Sequence, residues 1–352
     1  MNILSAKKFV EWVIVPIVFL FAVSVGAFAQ PPQGYYNNAN GKSGYTLKTA
    51  LHSIIKSHTS LSYSTLWDAF EDTDLQPGTN KIWDMYSNCN FTYGSKQCGN
   101  YSSECDCYNR EHSFPKSWFD DASPMYTDLF HLVPTDGKVN GMRSNYPFGN
   151  VGNPTYTSGN GSKLGACSGC GGYTKTVFEP IDEYKGDFAR NYFYMVTCYE
   201  DKVANWSSDM LNKTKNQAFT DWAKNLLIEW HRQDPVSEKE INRNNAVYQW
   251  QKNRNPFIDY PGLAEKIWGG DNTPFYSDTS SAGVEVSAIS DDNVTLYEMY
   301  PAAEIISISG VRLKQVSSME VESALSGLPR GIYIVRYISR DGKSFLSKKV
   351  GL

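Results

Sequence analysis

The chain has 352 residues, enough for two domains, and its 41% hydrophobic and 20% charged residues are the balance of a globular protein. A largely disordered or collagen-like chain is thereby excluded. With 33 basic and 37 acidic residues the net charge is −4, which excludes coating of nucleic acid by bulk positive charge; a phosphate partner would need a local basic cluster or a bound cation.

In chain order, residues 1–29 read as an export signal. Lys7 and Lys8 form its charged start, Trp12 to Ala29 carries no charge, and Ala27-Phe28-Ala29 is a small-x-small cleavage signature. A membrane anchor is the competing reading, but the apolar run falls short of the ~20 residues that span a bilayer and Pro16 interrupts it. Gln30 is then the expected mature start. From Tyr45 to Ala69, apolar Leu47, Leu51, Ile54 and Ile55 recur at helical spacing. Residues 81–110 suit short strands and loops, and the Gly/Asn/Ser-rich stretch from Gly149 to Gly172 reads as a long loop. Helical spacing returns at Phe188, Tyr192, Met195 and Tyr199, and again at Phe219, Trp222, Leu226 and Trp230, where Asp234-Pro235 stops it. Ser237-Glu238-Lys239-Glu240 is a capping box that opens a helix to about Trp250, ended by Asn255-Pro256. The aromatic stripes on these helices are expected to be core.

Composition shifts after Trp268. Residues 269–283 read as a linker, and strands are expected at Val294–Met299, Glu304–Ser309, Gly331–Ile338 and Ser344–Val350. The predicted class is α+β: a mostly helical domain over 30–268, then a small C-terminal β-sandwich over 284–352 with no cysteine or histidine.

All seven cysteines lie before residue 200. In an exported chain they are expected as disulfides with at least one thiol left over. A rival reading is a zinc site built from Cys105, Cys107, Cys167 and Cys170.

The chain has only five histidines, and His112 lies in Arg110-Glu111-His112-Ser113-Phe114-Pro115-Lys116. A second polar run, Asp136 to Asn145, follows about two dozen residues later. Hydrolysing a phosphodiester requires a base for the attacking water and a counter-charge for the leaving and phosphoryl oxygens. His112 is the base candidate, while Glu111 and Asn140 are oxygen ligands of the type a hard divalent cation takes. Neighbours on a regular strand point to opposite faces, so Glu111 and His112 share one site only if the backbone leaves strand geometry there, as Pro115 would favour.

Cys105 to Trp118, Asp128-Leu129-Phe130-His131-Leu132-Val133-Pro134-Thr135-Asp136 and Val139-Asn140-Gly141-x-Arg143-Ser144-Asn145 together resemble the endonuclease I family over roughly residues 45–270, as do Phe178-Glu179-Pro180, Lys185 to Arg190 and Asn255-Pro256-Phe257. The resemblance implies an exported, non-specific nuclease with a ββα-metal (His-Me finger) site. It implies His112 as general base and Glu111 and Asn140 as ligands of Mg²⁺ or another divalent cation such as Ca²⁺ or Mn²⁺, with 5′-phosphate products. Arg143, counted with His112 in the catalytic set, and Lys116 are the expected phosphate contacts. His131 and Asp128 are expected to be buried supports. Glu179, Asp187 and Arg190 are expected as an ion-pair scaffold, and His52, His58 and His231 as structural residues on helices. Cys98–Cys107 is the first-choice disulfide, with Cys105 as a competitor for the same partner.

The tail, Gly327-Leu328-Pro329-Arg330-Gly331-Ile332-Tyr333-Ile334-Val335-Arg336 with Lys348-Lys349-Val350, is similar to the C-terminal sorting domains of the type IX secretion system. That implies passage through the periplasm to the cell surface or medium, aided by the type IX machinery. The expected activity is therefore metal-dependent cleavage of DNA, with RNA also expected, without base reading. A non-catalytic extracellular nucleic-acid-binding or adhesion module, and a hydrolase of another phosphodiester, are the alternatives.

Overall fold

The computed structural model describes residues 31–277, 300–307, 312–328, 332–338 and 345–351. The expected export signal, residues 278–283 of the expected linker and the strand expected at Val294–Met299 lie outside the described residues. The chain divides into two units after Thr279.

In the first unit, α1 (Gly44–Ile55) and α2 (Thr65–Thr73) replace the single helical stretch suggested by the spacing. A two-stranded antiparallel sheet follows, β1 (Tyr108–His112) with β2 (Leu132–Asp136), and α3 (Gly137–Arg143) continues directly from it. The Gly149–Gly172 stretch is not a loop. It holds β3 (Val151–Thr157) and β4 (Lys163–Cys167), which with β5 (Thr176–Glu179) form an antiparallel sheet in the order β3-β4-β5. Most of the β3 residues are exposed, so backbone pairing rather than side-chain burial makes that strand, and hydrophobic spacing has no signal for it.

Every residue of α4 (Lys185–Cys198) is buried, and α1, α5 (Asp221–Gln233) and the short α7 (Pro256–Asp259) pack around it. The expected aromatic stripe is core: Phe188, Tyr192 and Met195 are fully enclosed, and Phe193 stacks on Trp268 at 4.9 Å. α6 (Glu238–Gln251) opens with the expected capping box, in which Ser237 and Glu240 exchange bonds. Glu240 also takes a bidentate pair from buried Arg190, at 2.5 and 2.7 Å, so one carboxylate closes a helix end and ties it to α4. Lys239 bridges to Asp187 at 2.6 Å and Lys185 to Glu179 at 2.7 Å, completing the ion-pair scaffold. Arg243 reaches from α6 to Asp74 and to the carbonyls of Leu129 and Leu132, fixing the start of β2.

Three disulfides form: Cys89–Cys105, Cys98–Cys107 and Cys167–Cys170, leaving buried Cys198 as the free thiol. The pairing uses up all four thiols of the zinc alternative, which is thereby discarded.

The second unit is an antiparallel sheet of β6 (Ala302–Ser307), β7 (Arg312–Ser317), β8 (Ile332–Ile338) and β9 (Phe345–Gly351) in the order β7-β6-β8-β9. Ala303, Ile305, Tyr333 and Val335 bury one face against Val321 and Leu325 of α8 (Val321–Ser326). Among the described residues this is one sheet covered by a helix, not the expected two-sheet sandwich. Among the described residues, no helix is long and apolar enough to cross a membrane.

Candidate active site

The joint between β2 and α3 is fixed by Asp136. One carboxylate oxygen accepts the Val139 N–H at 2.9 Å and caps the helix, while the other accepts the Cys105 N–H at 2.7 Å. α3 then lies along β1. Asn140 donates its amide to Asn109 at 2.6 Å, and Arg143 donates to the carbonyls of His112 and Ser113 at 3.1 and 2.5 Å. Gly141 has a local reason: the Tyr101 ring occupies the place a Cβ would need. Gly137 does the same, with that ring 2.7 Å from a would-be Cβ.

The strand remains regular to its end, since Glu111 pairs with Val133 and His112 with Leu132. The anticipated departure from strand geometry before Pro115 does not occur. Alternation therefore sorts the side chains. Asn109 and Glu111 meet Asn140 and Arg143 of α3, whereas Arg110 and His112 meet Tyr63. Asn109 and Arg110, neighbours on β1, both line a groove of about 460 Å³ beside the strand, which Glu111, His112 and Asn140 do not line.

His112 is 6% exposed, stacked at 6.2 Å on Tyr63, with Tyr126 and His131 5.1 and 5.4 Å away. Burial foremost, then His131, pushes its pKa down to about 3, so the ring is neutral at neutral pH. Its Nε2 lies 3.0 Å from the Tyr126 carbonyl. A carbonyl can only accept, so Nε2 carries the proton and Nδ1 keeps its lone pair. Nδ1 has no hydrogen-bond partner among the described residues.

Glu111 is 3% exposed, and burial raises its carboxyl above the usual range against the pull of Arg143. One oxygen, Oε1, accepts from the Tyr86 hydroxyl at 3.1 Å and pairs with Arg143 at 3.2 Å. The bond from Asn140 to Asn109 uses the amide nitrogen, which leaves the Asn140 carbonyl oxygen as an uncommitted acceptor. The second Glu111 oxygen and this amide oxygen are the kind of donors a hard divalent cation selects.

Two expected phosphate contacts are placed differently. Arg143 is fully buried and committed to Glu111, three carbonyls and the Tyr192 hydroxyl, so it has no surface to offer a phosphate. Lys116 is half exposed, paired with Asp121 at 2.9 Å, and lies 5.4 Å over the Tyr126 ring at the rim. The cation that sequence reasoning passed over is Arg110, whose partners Tyr63 and Trp67 lie more than forty residues upstream.

The support beneath His112 is buried. His131 bonds the Met125 carbonyl at 2.7 Å, and Asp128 accepts from Tyr194, Tyr199, Gln251 and the Phe130 N–H, which holds the turn that supplies both histidines with carbonyls. His58 bonds Tyr199 at 2.9 Å but lies beyond the end of α1. The atoms of His58, Asp128 and Cys198 converge within 4.8 Å. However, Asp128 is saturated with donors and burial holds the Cys198 thiol well above its usual value, so this cluster is built as packing.

Comparison with known proteins gives a consistent picture. The endonuclease I family model matches residues 43–262. An extracellular ribonuclease of Bacillus amyloliquefaciens is 39% identical over 239 residues, covering 66% of this chain and 78% of that protein. The extracellular ribonuclease of Bacillus subtilis (strain 168) is 38% identical over the same shares. An extracellular deoxyribonuclease of Aeromonas hydrophila is 28% identical over 141 residues, 40% of this chain and 52% of that protein. With its family match spanning most of the first unit, this chain belongs to the endonuclease I family of nucleases.

Proposed function

We propose that the protein is a secreted, divalent-metal-dependent endonuclease that hydrolyses phosphodiester bonds of DNA and RNA to 5′-phosphate products with little sequence preference. The observation that carries this reading is the His112 ring, oriented by the Tyr126 carbonyl so that Nδ1 is free to take a proton. A water attacking phosphorus gives that proton to Nδ1. A divalent cation held by Glu111 and Asn140, on the face of β1 opposite His112, would offset the charge that builds on the phosphoryl and leaving oxygens of a phosphate spanning the end of the strand. Arg143 is a positioning residue: it holds the Glu111 carboxylate and the carbonyls that end β1, and touches no substrate. Relatives named for ribonuclease and for deoxyribonuclease action support a site that reads the phosphate backbone rather than the sugar.

Incubating plasmid and RNA with the protein plus Mg²⁺ should give cleavage that EDTA abolishes. His112→Ala should lower the rate by about 10²–10⁴-fold while the thermal midpoint stays near that of the parent. Retention of DNA without nicking would instead identify a binding module, and full activity in the His112 variant would remove it from catalysis.

The reading of the second unit is that it serves as a type IX sorting domain, supported by the quoted tail motif and its separation from the nuclease unit. Deleting residues 284–352 should leave active nuclease trapped in the periplasm of a host with that system; unchanged release into the medium would refute the role.

A further inference from the structure

Among the described residues, every arginine except Arg110 has a carboxylate partner. Arg110 is instead clamped by aromatic faces: its guanidinium carbon lies 3.5 Å from the Tyr63 ring centroid and 4.5 Å from that of Trp67. One N–H donates to the Tyr63 carbonyl at 2.6 Å. No other hydrogen bond engages the group among the described residues, and its remaining nitrogens are not sealed from solvent. The side chain is thus fixed in direction, with donors to spare.

The space it faces is the groove beside β1, walled also by Gln97, Gly99 and Asn109, and no carboxylate lines it. In an acidic protein, a groove with a lone uncompensated cation and no anion selects a negatively charged occupant. Arg110 also precedes His112 by two residues on the same strand face, a step of about 6.6 Å along the backbone. Asn109, beside it, holds Asn140.

We propose that Arg110 forms a second phosphate subsite, holding a phosphate of the substrate strand next to the one attacked at His112. The ligand class is an extended polynucleotide strand. The preset guanidinium offers a planar fork to phosphate oxygens without first losing side-chain entropy, which a mobile lysine could not do. The inference rests on reading His112 as the catalytic base, and it makes Arg110 responsible for favouring a polymer over an isolated phosphodiester.

The test uses the full chain as parent, Arg110→Ala and Arg110→Gln, the last keeping a polar N–H group without the charge. Each is assayed with Mg²⁺ on a single-stranded oligonucleotide and on bis(p-nitrophenyl) phosphate, which carries one phosphodiester only. On the oligonucleotide both variants should lose roughly 10- to 100-fold in kcat/KM, mainly through KM. The loss on the small ester should be at least tenfold smaller. Binding of the oligonucleotide in EDTA, measured in the His112→Ala background, should weaken by a similar factor. The slope of log affinity against log salt should fall by about 0.7, the share of one single-strand phosphate. Equal losses on both substrates, or an unchanged salt slope in both variants, would overturn the subsite. If the parent cleaves neither substrate, the reading of His112 fails, while the binding arm still decides the role of Arg110.

Discussion

Two buried histidines show how one residue type is tuned by its surroundings. His112 gives its Nε2 proton to a carbonyl and keeps Nδ1 free, whereas His231 spends both nitrogens inside the fold. Nε2 of His231 donates to the Pro261 carbonyl at 3.0 Å, and Nδ1 accepts from Arg190 at 3.2 Å. Burial, then Arg190, pushes His231 down to about 4. Its ordinary value in an unfolded chain is about 6.5, so between those values the unfolded chain binds the extra proton and the native state loses stability as pH falls. The slope from this group approaches about 1.4 kcal/mol per pH unit. His231→Gln lacks it. Urea unfolding of parent and variant should therefore show a stability gap that narrows by about 1–2 kcal/mol from pH 7 to pH 5. A gap that stays constant would mean that the ring is already protonated in the fold. Glu111, His112 and Asn140 could be picked out in the sequence because their residue types suit the proposed chemistry. The burial of Arg143 and the aromatic clamp on Arg110 could not, because both depend on partners brought in from distant segments.

At the level of elements, the strand-strand-helix unit depends on contacts from outside itself. The loop bearing Tyr101 lies between two disulfides, Cys89–Cys105 and Cys98–Cys107, and its ring packs on the glycine face of α3. Gly141→Ala should cost about 1–3 kcal/mol by overpacking. In a Tyr101→Ala background the same change should cost under about 0.5 kcal/mol, since alanine suits a helix better than glycine. Equal costs in the two backgrounds, read from denaturant midpoints, would show that the ring does not press on the helix. Helices were the legible elements: the capping box at Ser237 and the aromatic spacing of α4 and α5 announce themselves locally. β3 and β7 did not, because they carry few apolar side chains and owe their form to partners along the sheet.

Across the whole molecule, the two units differ in composition. The histidines and cysteines all lie in the first, and the second is a sheet with a small apolar face under one helix. That difference in composition is readable in the sequence, since it follows from which residue types occur where; the single sheet formed by the described residues of the tail is not, because strand signals do not tell how sheets stack. Beyond Tyr108, which the Lys96–Cys98 segment pairs, the margin of β1 has no strand partner among the described residues, and this carries a last consequence. An unpaired strand margin invites the backbone of another molecule, the first step towards aggregation. A fixed positive charge at Arg110 discourages that pairing, because two copies approaching edge to edge would bring like charges together. The same side chain would then repel its own kind and welcome a polyanion, keeping the protein dispersed without closing its entrance.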